Sequence, residues 1–262
     1  MLLASSIATM NSFRLCGKAI DEHRELGSGV AKVFLDSCRN NQIHHQRPSH
    51  HSVIDNCFDS ASLAAIHNNF PAAESMRAGG DLYRKLLPLS DSQPPNTGTQ
   101  GMCTLSEEFW LSFHRQLNTS KTRKLLVECI SGIKAFGKPN LVESLEIKTL
   151  LIRDSDGFAI EPHVDKGERV FTILIYLPES RGYESLGTCL YIPIGPSDQH
   201  PRIRDRYPFA KFLNVKTIEF VPNRALLMPM NDDSWHGVPT IKDSADQRKL
   251  IMVAGMNRIT NE

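Results

Sequence analysis

The feature that most restricts the fold is a series of six short β-forming segments between residues 145 and 256. They read LEIKTLLIR, RVFTILIYLP, GTCLYIP, VKTIEFVP, RALLMPM and RKLIMVAGM, with turn-forming residues between them. Short strands at this spacing are typical of an antiparallel sandwich or barrel, of which the double-sheet jelly roll is one form. Residues 144–262 are therefore predicted to form a β core.

Residues 53–143 carry helical patterns instead. The segment CFDSASLAAIHNNFP predicts a helix with Asp59 or Ser60 as its N-cap. A second helix is predicted in TLSEEFWLSFHRQLN, where Thr104 and Glu107 have capping-box spacing, and a third in KTRKLLVECISGI. We expect these helices to buttress one sheet of the same domain, which gives an α+β fold with a jelly-roll core, also called a double-stranded β-helix.

Residues 1–52 are predicted to form an irregular N-terminal extension with one helix in GSGVAKVFLDSCRNN. The segment HHQRPSHH follows this helix and contains four histidines around Pro48. Clustered histidines can bind a metal. No predicted strand or helix fixes these side chains, however, so we expect a solvated loop.

The composition excludes several classes of partner. The chain has 30 Lys and Arg against 29 Asp and Glu, so no overall charge attracts nucleic acid or an acidic membrane. Its six cysteines include no CxxC pair, which favours a reducing, cytoplasmic setting over a zinc ribbon or a disulfide framework. No apolar run approaches the roughly 18 residues of a membrane helix. A secretory signal is not predicted, whereas the lack of acidic residues before Asp21 leaves organelle targeting as an alternative.

Candidate metal ligands lie in AIEPHVDKGERVFTILIYLP, where His163 and Asp165 stand just before a β-forming run. Side chains two residues apart on a strand point to the same face, so this pair would present a nitrogen and an oxygen to one point. His236 follows a later β segment, and in a rolled sheet it could lie beside His163. Two histidines and one carboxylate form the facial triad of non-haem Fe(II) oxygenases. These three residues are the predicted metal and catalytic site.

A predicted carboxylate-binding residue accompanies the triad. Arg248 follows His236 by twelve residues and begins the last β segment. Its guanidinium could bind a carboxylate through two parallel hydrogen bonds.

Taken in order, these motifs resemble the Fe(II)/2-oxoglutarate-dependent dioxygenases, particularly the branch built like prolyl hydroxylases. The resemblance covers residues 145–256 and rests on PHVD, RVFTILIYLP, the Gly-Thr of GTCLYIP, VPNRALLMP, WHGV and the closing Arg-containing segment. It implies that His163, Asp165 and His236 hold Fe(II), with 2-oxoglutarate as cosubstrate and dioxygen as oxidant.

The resemblance also implies cosubstrate contacts. Arg248 would pair with the distal carboxylate of 2-oxoglutarate. Tyr176 looks like the family's tyrosine that hydrogen-bonds the same carboxylate, and Thr172 shares its strand face.

Two positions depart from the family pattern. Arg153 stands ten residues before His163, where prolyl hydroxylases often have a tyrosine, and Leu250 replaces a serine found in many relatives. Arg153 is a candidate contact to the cosubstrate or to a substrate anion, with pairing to Asp154 or Asp156 as the alternative.

The implied reaction is hydroxylation of an unactivated C–H bond in a small molecule, such as an amino acid, a nucleotide or a natural-product intermediate, with formation of succinate and CO2. The carboxylate at Asp165 favours hydroxylation because related halogenases have a small residue there. Desaturation and ring formation use the same ligands. A protein-modifying, prolyl-type hydroxylase and a non-catalytic metal-binding β-domain are two further functions that these residues allow.

The loop GPSDQHPRIRDRYPFAKFLNVK, residues 195–216, interrupts the β pattern with several basic residues. Loops on a rigid scaffold commonly carry recognition, so as a lid this segment would favour an anionic substrate. As an ordinary basic loop it would face water.

Overall fold

The computed structural model describes most of the chain. The described residues are 2–80, 82–90, 104–133, 141–165, 168–195, 206–245 and 248–258.

The chain folds into helices followed by a large antiparallel β structure. The helices are α1 (Leu2–Asn40), α2 (Ser60–Asn69), α3 (Thr104–Leu117), α4 (Ser120–Ile133) and α5 (Leu141–Ser144). The strands are β1 (Ile43–His45), β2 (His51–Asp55), β3 (Arg77–Ala78), β4 (Arg84–Leu89), β5 (Leu145–Asp154), β6 (Ile160–His163), β7 (Arg169–Tyr176), β8 (Thr188–Pro193), β9 (Phe212–Ile218), β10 (Arg224–Pro229), β11 (His236–Val238) and β12 (Arg248–Asn257).

The strands form two sheets with jelly-roll topology. The larger sheet has the order β1-β2-β10-β7-β12-β5-β4-β3, and the smaller has the order β6-β11-β8-β9. Among the strands from β5 onward, the first, eighth, third and sixth are neighbours in one sheet, and the second, seventh, fourth and fifth are neighbours in the other. All pairings are antiparallel. The predicted α+β class with a double-sheet jelly-roll core is confirmed.

The molecule has three layers. One hydrophobic cluster, which includes Phe34, Trp110 and Ile173, lies between the helices and the larger sheet. A second cluster, which includes Leu190 and Phe220, lies between the two sheets. The larger sheet is therefore covered on both faces, which explains the nearly continuous apolar run of β7.

The predicted helix over residues 60–69 is confirmed with its cap. The Asp59 carboxylate accepts a hydrogen bond of 2.7 Å from the backbone N–H of Ser62, which satisfies one free donor of the first turn. The Trp110 indole of α3 donates to the Asn69 carbonyl at 2.7 Å. This bond ties α3 to the end of α2 and so fixes the helical layer.

The N-terminal segment differs from the expected irregular extension. Helix α1 covers residues 2–40 and packs along α3. Its buried residues recur at helical spacing, as Val30, Phe34 and Cys38 show. No helix of the described chain is long and apolar enough to cross a membrane.

The His-rich segment also differs from the expected solvated loop. It forms strands β1 and β2, and His51 is fully buried. Strand β2 pairs with β10, with Val53 opposite Leu226. A partner so distant in the sequence leaves no local signal, which is why the pattern of the segment alone was misleading.

Candidate active site

The two histidines of the predicted triad face each other across neighbouring strands. His163 is the last residue of β6 and His236 is the first of β11, and the two are direct partners in the antiparallel register. Asp165 follows two residues after His163. One ligand atom from each of the three side chains lies within 4.8 Å of the others. The sheet therefore brings together residues that are 73 positions apart in the chain.

Backbone hydrogen bonds fix both imidazole rings. Nδ1 of His163 donates to the Glu161 carbonyl at 2.9 Å, and Nδ1 of His236 donates to the Ser234 carbonyl at 2.9 Å. The proton on Nδ1 leaves the lone pair on Nε2. These Nε2 atoms lie 3.7 and 3.8 Å from the Asp165 carboxylate oxygens. Both rings are thus held as a metal site requires.

The site favours the protonation states of metal ligands. Burial and the neighbouring His163 lower the pKa of His236 to about 4, so its ring is neutral at pH 7. Burial alone would raise the pKa of Asp165. The ion pair with Arg169 acts in the other direction, and the Asp165 pKa lies well below its usual range.

Two side chains of β7 orient Asp165. Arg169 Nη1 donates to Asp165 Oδ2 at 2.7 Å, and Thr172 Oγ1 donates to the same oxygen at 3.0 Å. Thr172, predicted to contact the cosubstrate, lines the cavity and holds the carboxylate. Arg169 was missed by the sequence analysis. Its position four residues after Asp165 was the available signal.

A cavity of about 190 Å³ adjoins the triad between the two sheets. It is smaller than the roughly 300–1,000 Å³ of pockets for drug-sized ligands. Its apolar walls come from both sheets and consist of Ile152, Ile160, Leu174, Val238, Leu250 and Met252. Arg84, Arg169 and Arg248 also line it. The cavity is therefore lined by apolar side chains from both sheets, with the arginines, the triad and two threonines as its polar groups.

Arg248 lies at one end of the cavity, on the larger sheet. It is 1% exposed at the start of β12, where its Nε donates to the Leu186 carbonyl at 2.8 Å and its Nη1 donates to Asp154 Oδ2. Burial lowers its pKa, although an arginine stays charged in a protein. Further along β12, Ala254 pairs with Thr172, which holds Asp165. Arg248 and the triad thus lie toward opposite ends of the cavity.

A second guanidinium accompanies Arg248. Arg84 of β4 donates to both oxygens of Asp154, from Nε at 2.6 Å and from Nη2 at 2.8 Å. Its guanidinium lies 3.9 Å from the centre of the Phe158 ring. Arg84 was not among the predicted site residues, because strand β4 was not predicted. Pro88 lies within this strand, and a proline argues against a strand when only the sequence pattern is considered.

The other two candidate cosubstrate residues lie outside the cavity lining. The Tyr176 hydroxyl donates to Thr188 Oγ1 at 2.8 Å, and it is Thr188 that lines the cavity. Arg153 lies on the opposite face of the larger sheet, where its Nη2 donates to the Pro71 carbonyl at 3.2 Å. Alternation along β5 explains this placement, because Ile152 faces the cavity.

The predicted substrate loop is described only in part, because residues 196–205 lie outside the described residues. Within residues 206–216, Tyr207 is buried against Trp235, with ring centres 5.6 Å apart. This aromatic contact joins the end of the loop to the segment that precedes His236.

A close approach of two backbones supports the histidine pair. A methyl group on Gly237 would lie 2.6 Å from the Ile160 carbonyl oxygen and 3.2 Å from the carbonyl group of Glu161. Only glycine lets β11 lie this near β6. The Glu161 carbonyl also accepts the hydrogen bond from His163. The close approach at Gly237 and this hydrogen bond therefore help to position the same pair of histidines.

The donor set of the triad fits a transition metal. Two imidazole nitrogens and one carboxylate, within 4.8 Å of one another, are the donor set of non-haem Fe(II) sites. The N-terminal histidines do not form a comparable group. In the described parts of the chain, the triad is the only set of three or more such side chains placed to share a metal.

No protein-family model and no curated protein sequence matches the chain. Among solved structures, it is similar to a prolyl hydroxylase from Trichoplax adhaerens in complex with a hypoxia inducible factor peptide fragment. The identity is 12%, the alignment covers 88% of this chain and 90% of the other, and the TM-score is 0.47.

A prolyl-4-hydroxylase from Pseudomonas putida is 13% identical over 87% of this chain and 99% of the other, with a TM-score of 0.42. The dioxygenase for auxin oxidation 1 from Arabidopsis thaliana, in a complex with 2-oxoglutarate, is 14% identical over 81% of this chain and 85% of the other, with a TM-score of 0.43.

Proposed function

We propose that the chain is an Fe(II)- and 2-oxoglutarate-dependent oxygenase that hydroxylates an unactivated C–H bond of a small molecule. The observation that carries this proposal is the arrangement of His163, Asp165 and His236 beside a cavity that is also lined by the buried Arg248. Iron and 2-oxoglutarate supply the chemistry: dioxygen and the cosubstrate are converted to succinate and CO2 as the substrate C–H becomes C–OH.

The residues around the metal site keep its ligands ready. His163 and His236 present unprotonated Nε2 atoms because their Nδ1 protons are held by carbonyl oxygens. Asp165 stays ionised and cannot turn freely, because Arg169 and Thr172 both donate to its Oδ2. A site held in this way needs little rearrangement to bind a metal.

The cavity residues bind and shield the cosubstrate. Arg248 presents a buried guanidinium for the distal carboxylate, and Thr188 adds a hydroxyl that Tyr176 positions. Tyr176 is itself fully buried, and this burial raises the pKa of its phenol and keeps it neutral. The apolar walls exclude water, which strengthens the pairing between guanidinium and carboxylate.

The small volume of the cavity, which also has to hold the cosubstrate, supports a small substrate. The proposal includes a reducing, cytoplasmic setting, which is supported by the free, buried thiols of Cys38, Cys57, Cys129 and Cys189. Thiols and ferrous iron are both preserved under such conditions.

The first experiment tests the metal and the cosubstrate together. Fe(II) and 2-oxoglutarate are added to the protein without oxygen, and the visible charge-transfer band is recorded. Succinate is then measured in air. We expect both signals in the parent protein, neither in His163→Ala or His236→Ala, and both in the control His67→Ala, which alters a histidine of α2. Succinate formation by His163→Ala at the parent rate would contradict the proposal.

A second experiment identifies the substrate class. Succinate release is screened with amino acids, nucleotides and carrier-bound acids in one set, and with proline-containing peptides in another. Stimulation by the first set supports a small-molecule hydroxylase. Stimulation only by peptides would replace this proposal with a protein-modifying hydroxylase.

A further inference from the structure

We propose that Arg84 is a second carboxylate-binding residue of the cavity, and that Asp154 is the positioning residue that presents both Arg84 and Arg248. This inference rests on the proposed function only for the identity of the ligand, which is the distal carboxylate of 2-oxoglutarate. Arg84 belongs to β4, which lies outside the eight strands of the jelly-roll core.

The register of the larger sheet places the three residues in one row. Asp154 at the end of β5 is the partner of Arg248 on one side and of Arg84 on the other. All three side chains point to the same face, since both arginines line the cavity and both bind Asp154. The row is therefore set by strand pairing and does not depend on a loop.

The charges of the row are unequal. Asp154 is fully buried and is the carboxylate to which both arginines are ion-paired. Neither arginine has another ion pair with a described acidic residue. Two guanidinium groups and one carboxylate leave one net positive charge in a low-dielectric site, which is costly unless it is paired. The carboxylate of a ligand would complete the network.

Free donors remain on both arginines. Each guanidinium carries five N–H groups. Arg248 uses Nε and Nη1, whereas Arg84 uses Nε and Nη2. Within the described structure, Nη2 of Arg248 and Nη1 of Arg84 have no hydrogen-bond partner. Two oxygens of one carboxylate could accept one bond from each.

Phe158 adds to the orientation of the pair. Its ring centre lies 3.9 Å from the Arg84 guanidinium carbon and 5.9 Å from that of Arg248. Both distances lie within the range of cation–π attraction. The planes of the two groups are thus held before any ligand binds.

The test measures 2-oxoglutarate binding by titration calorimetry on the full chain, without oxygen, with and without Fe(II). We expect Arg84→Gln to weaken binding about 10- to 100-fold in both conditions, the range for charge-assisted hydrogen bonds, while iron affinity is unchanged. Arg84→Lys should bind 2-oxoglutarate more tightly than Arg84→Gln but more weakly than the parent, because lysine lacks the planar fork of donors. The matched control is Lys85→Gln. In the parent protein the Lys85 ammonium group donates to the Ala73 carbonyl. Binding by Arg84→Gln within two-fold of the parent would overturn the inference.

Asp154 is tested by a charge-balanced pair of variants. Asp154→Asn leaves the buried Arg248 and the partly buried Arg84 without their shared carboxylate and should lower both the melting temperature and 2-oxoglutarate affinity. Adding Arg84→Gln restores the parent charge and should raise the melting temperature again without restoring affinity. If Asp154 only balances charge, the double variant should bind 2-oxoglutarate as tightly as Arg84→Gln alone, and that result would overturn the positioning role.

Failure of the proposed function has a different signature. If the parent protein does not bind 2-oxoglutarate but binds glutarate or succinate in a manner that requires Arg84, the inference stands and the proposed cosubstrate is wrong. If the parent binds none of the three, the inference is wrong as well.

Discussion

His163 and His236 lie directly opposite each other on strands β6 and β11, and their ring centres are 4.4 Å apart. The spacing of two metal ligands is therefore set by main-chain pairing. Asp165 lies just beyond the paired residues and is fixed by side chains of β7. The backbone pairing that positions the histidines and the side-chain bonds that position Asp165 can therefore be tested separately.

Gly237→Ala should weaken iron binding without changing a ligand. The added methyl group would lie 2.6 Å from the Ile160 carbonyl oxygen, so β11 must move away from β6 and carry His236 with it. We expect about a 10-fold loss of iron affinity, the lower end of the range for altered support of a ligand. Iron titration monitors this change. The control is Gly29→Ala in α1, where the new methyl group would meet no atom within 4 Å apart from the neighbouring residues and backbone of its own helix.

Thr172→Val should loosen Asp165. The change keeps the shape of the side chain but removes the 3.0 Å hydrogen bond to Asp165 Oδ2, and Arg169 becomes the only β7 donor. We expect iron affinity to fall about 10-fold, whereas the melting temperature of the metal-free protein should change little. Thr149→Val is the matched control, because Thr149 is also buried in a strand of the larger sheet but contacts His114. Equal iron affinity in the two variants would contradict the role of Thr172.

Arg248→Lys should raise the requirement for 2-oxoglutarate. Lysine cannot reproduce the bonds of Arg248 to both Leu186 and Asp154 while also presenting a planar donor pair. The concentration of cosubstrate at half-maximal succinate formation should rise about 10-fold, while iron binding stays near that of the parent. Lys249→Arg, at the neighbouring surface pair with Glu179, controls for a swap of basic residues. An unchanged cosubstrate requirement would assign Arg248 to the structural ion pair alone.

The stability of the protein should fall in mild acid because of His51. Burial, Lys216, His45 and His50 lower the pKa of His51 to about 4, although its bond to the Ser49 carbonyl acts in the other direction. The unfolded chain takes up this proton below about pH 6.5 and the folded chain does not. The free energy of unfolding should therefore decrease from pH 6.5 to pH 4, by about 2–3 kcal/mol from this group, and level off below.

The contribution of His51 is isolated by comparison. Urea unfolding of the parent and of His51→Asn is measured across the same pH range, with His23→Gln in α1 as a control. The difference between the parent and His51→Asn should shrink as the pH falls. A difference that is independent of pH would exclude His51 as the titrating group.

The sequence predicted the parts of the site that depend on local order. The HxD spacing, the β-forming run after it and Arg248 at the start of the last strand are each visible within a few residues. The jelly roll was predictable because its strands are short, apolar and separated by turns. His236 was found by its context, since it follows a β segment.

The positions of Arg84 and His51 depend on pairing between distant segments. Arg84 reaches the cavity because β4 pairs with β5, which lies about 60 residues further along the chain. Arg153 stands next to Asp154 in the sequence, yet strand alternation sends the two side chains to opposite faces. The burial of His51 depends on β10. Neither the placement of Arg84 nor the burial of His51 has a signal within the segment that carries the residue.

The β1–β2 hairpin has a consequence for shortened forms of the protein. Strand β10 is bonded to β7 on one side and to β2 on the other. Removing the first 55 residues would turn β10 into an open edge with a row of unsatisfied N–H and C=O groups, next to the apolar side chains of Leu226 and Leu227. Such edges recruit strands from other molecules, so a protein without residues 1–55 should aggregate. Strands β1 and β2 thus protect one edge of the sheet that carries Thr172 and Arg248.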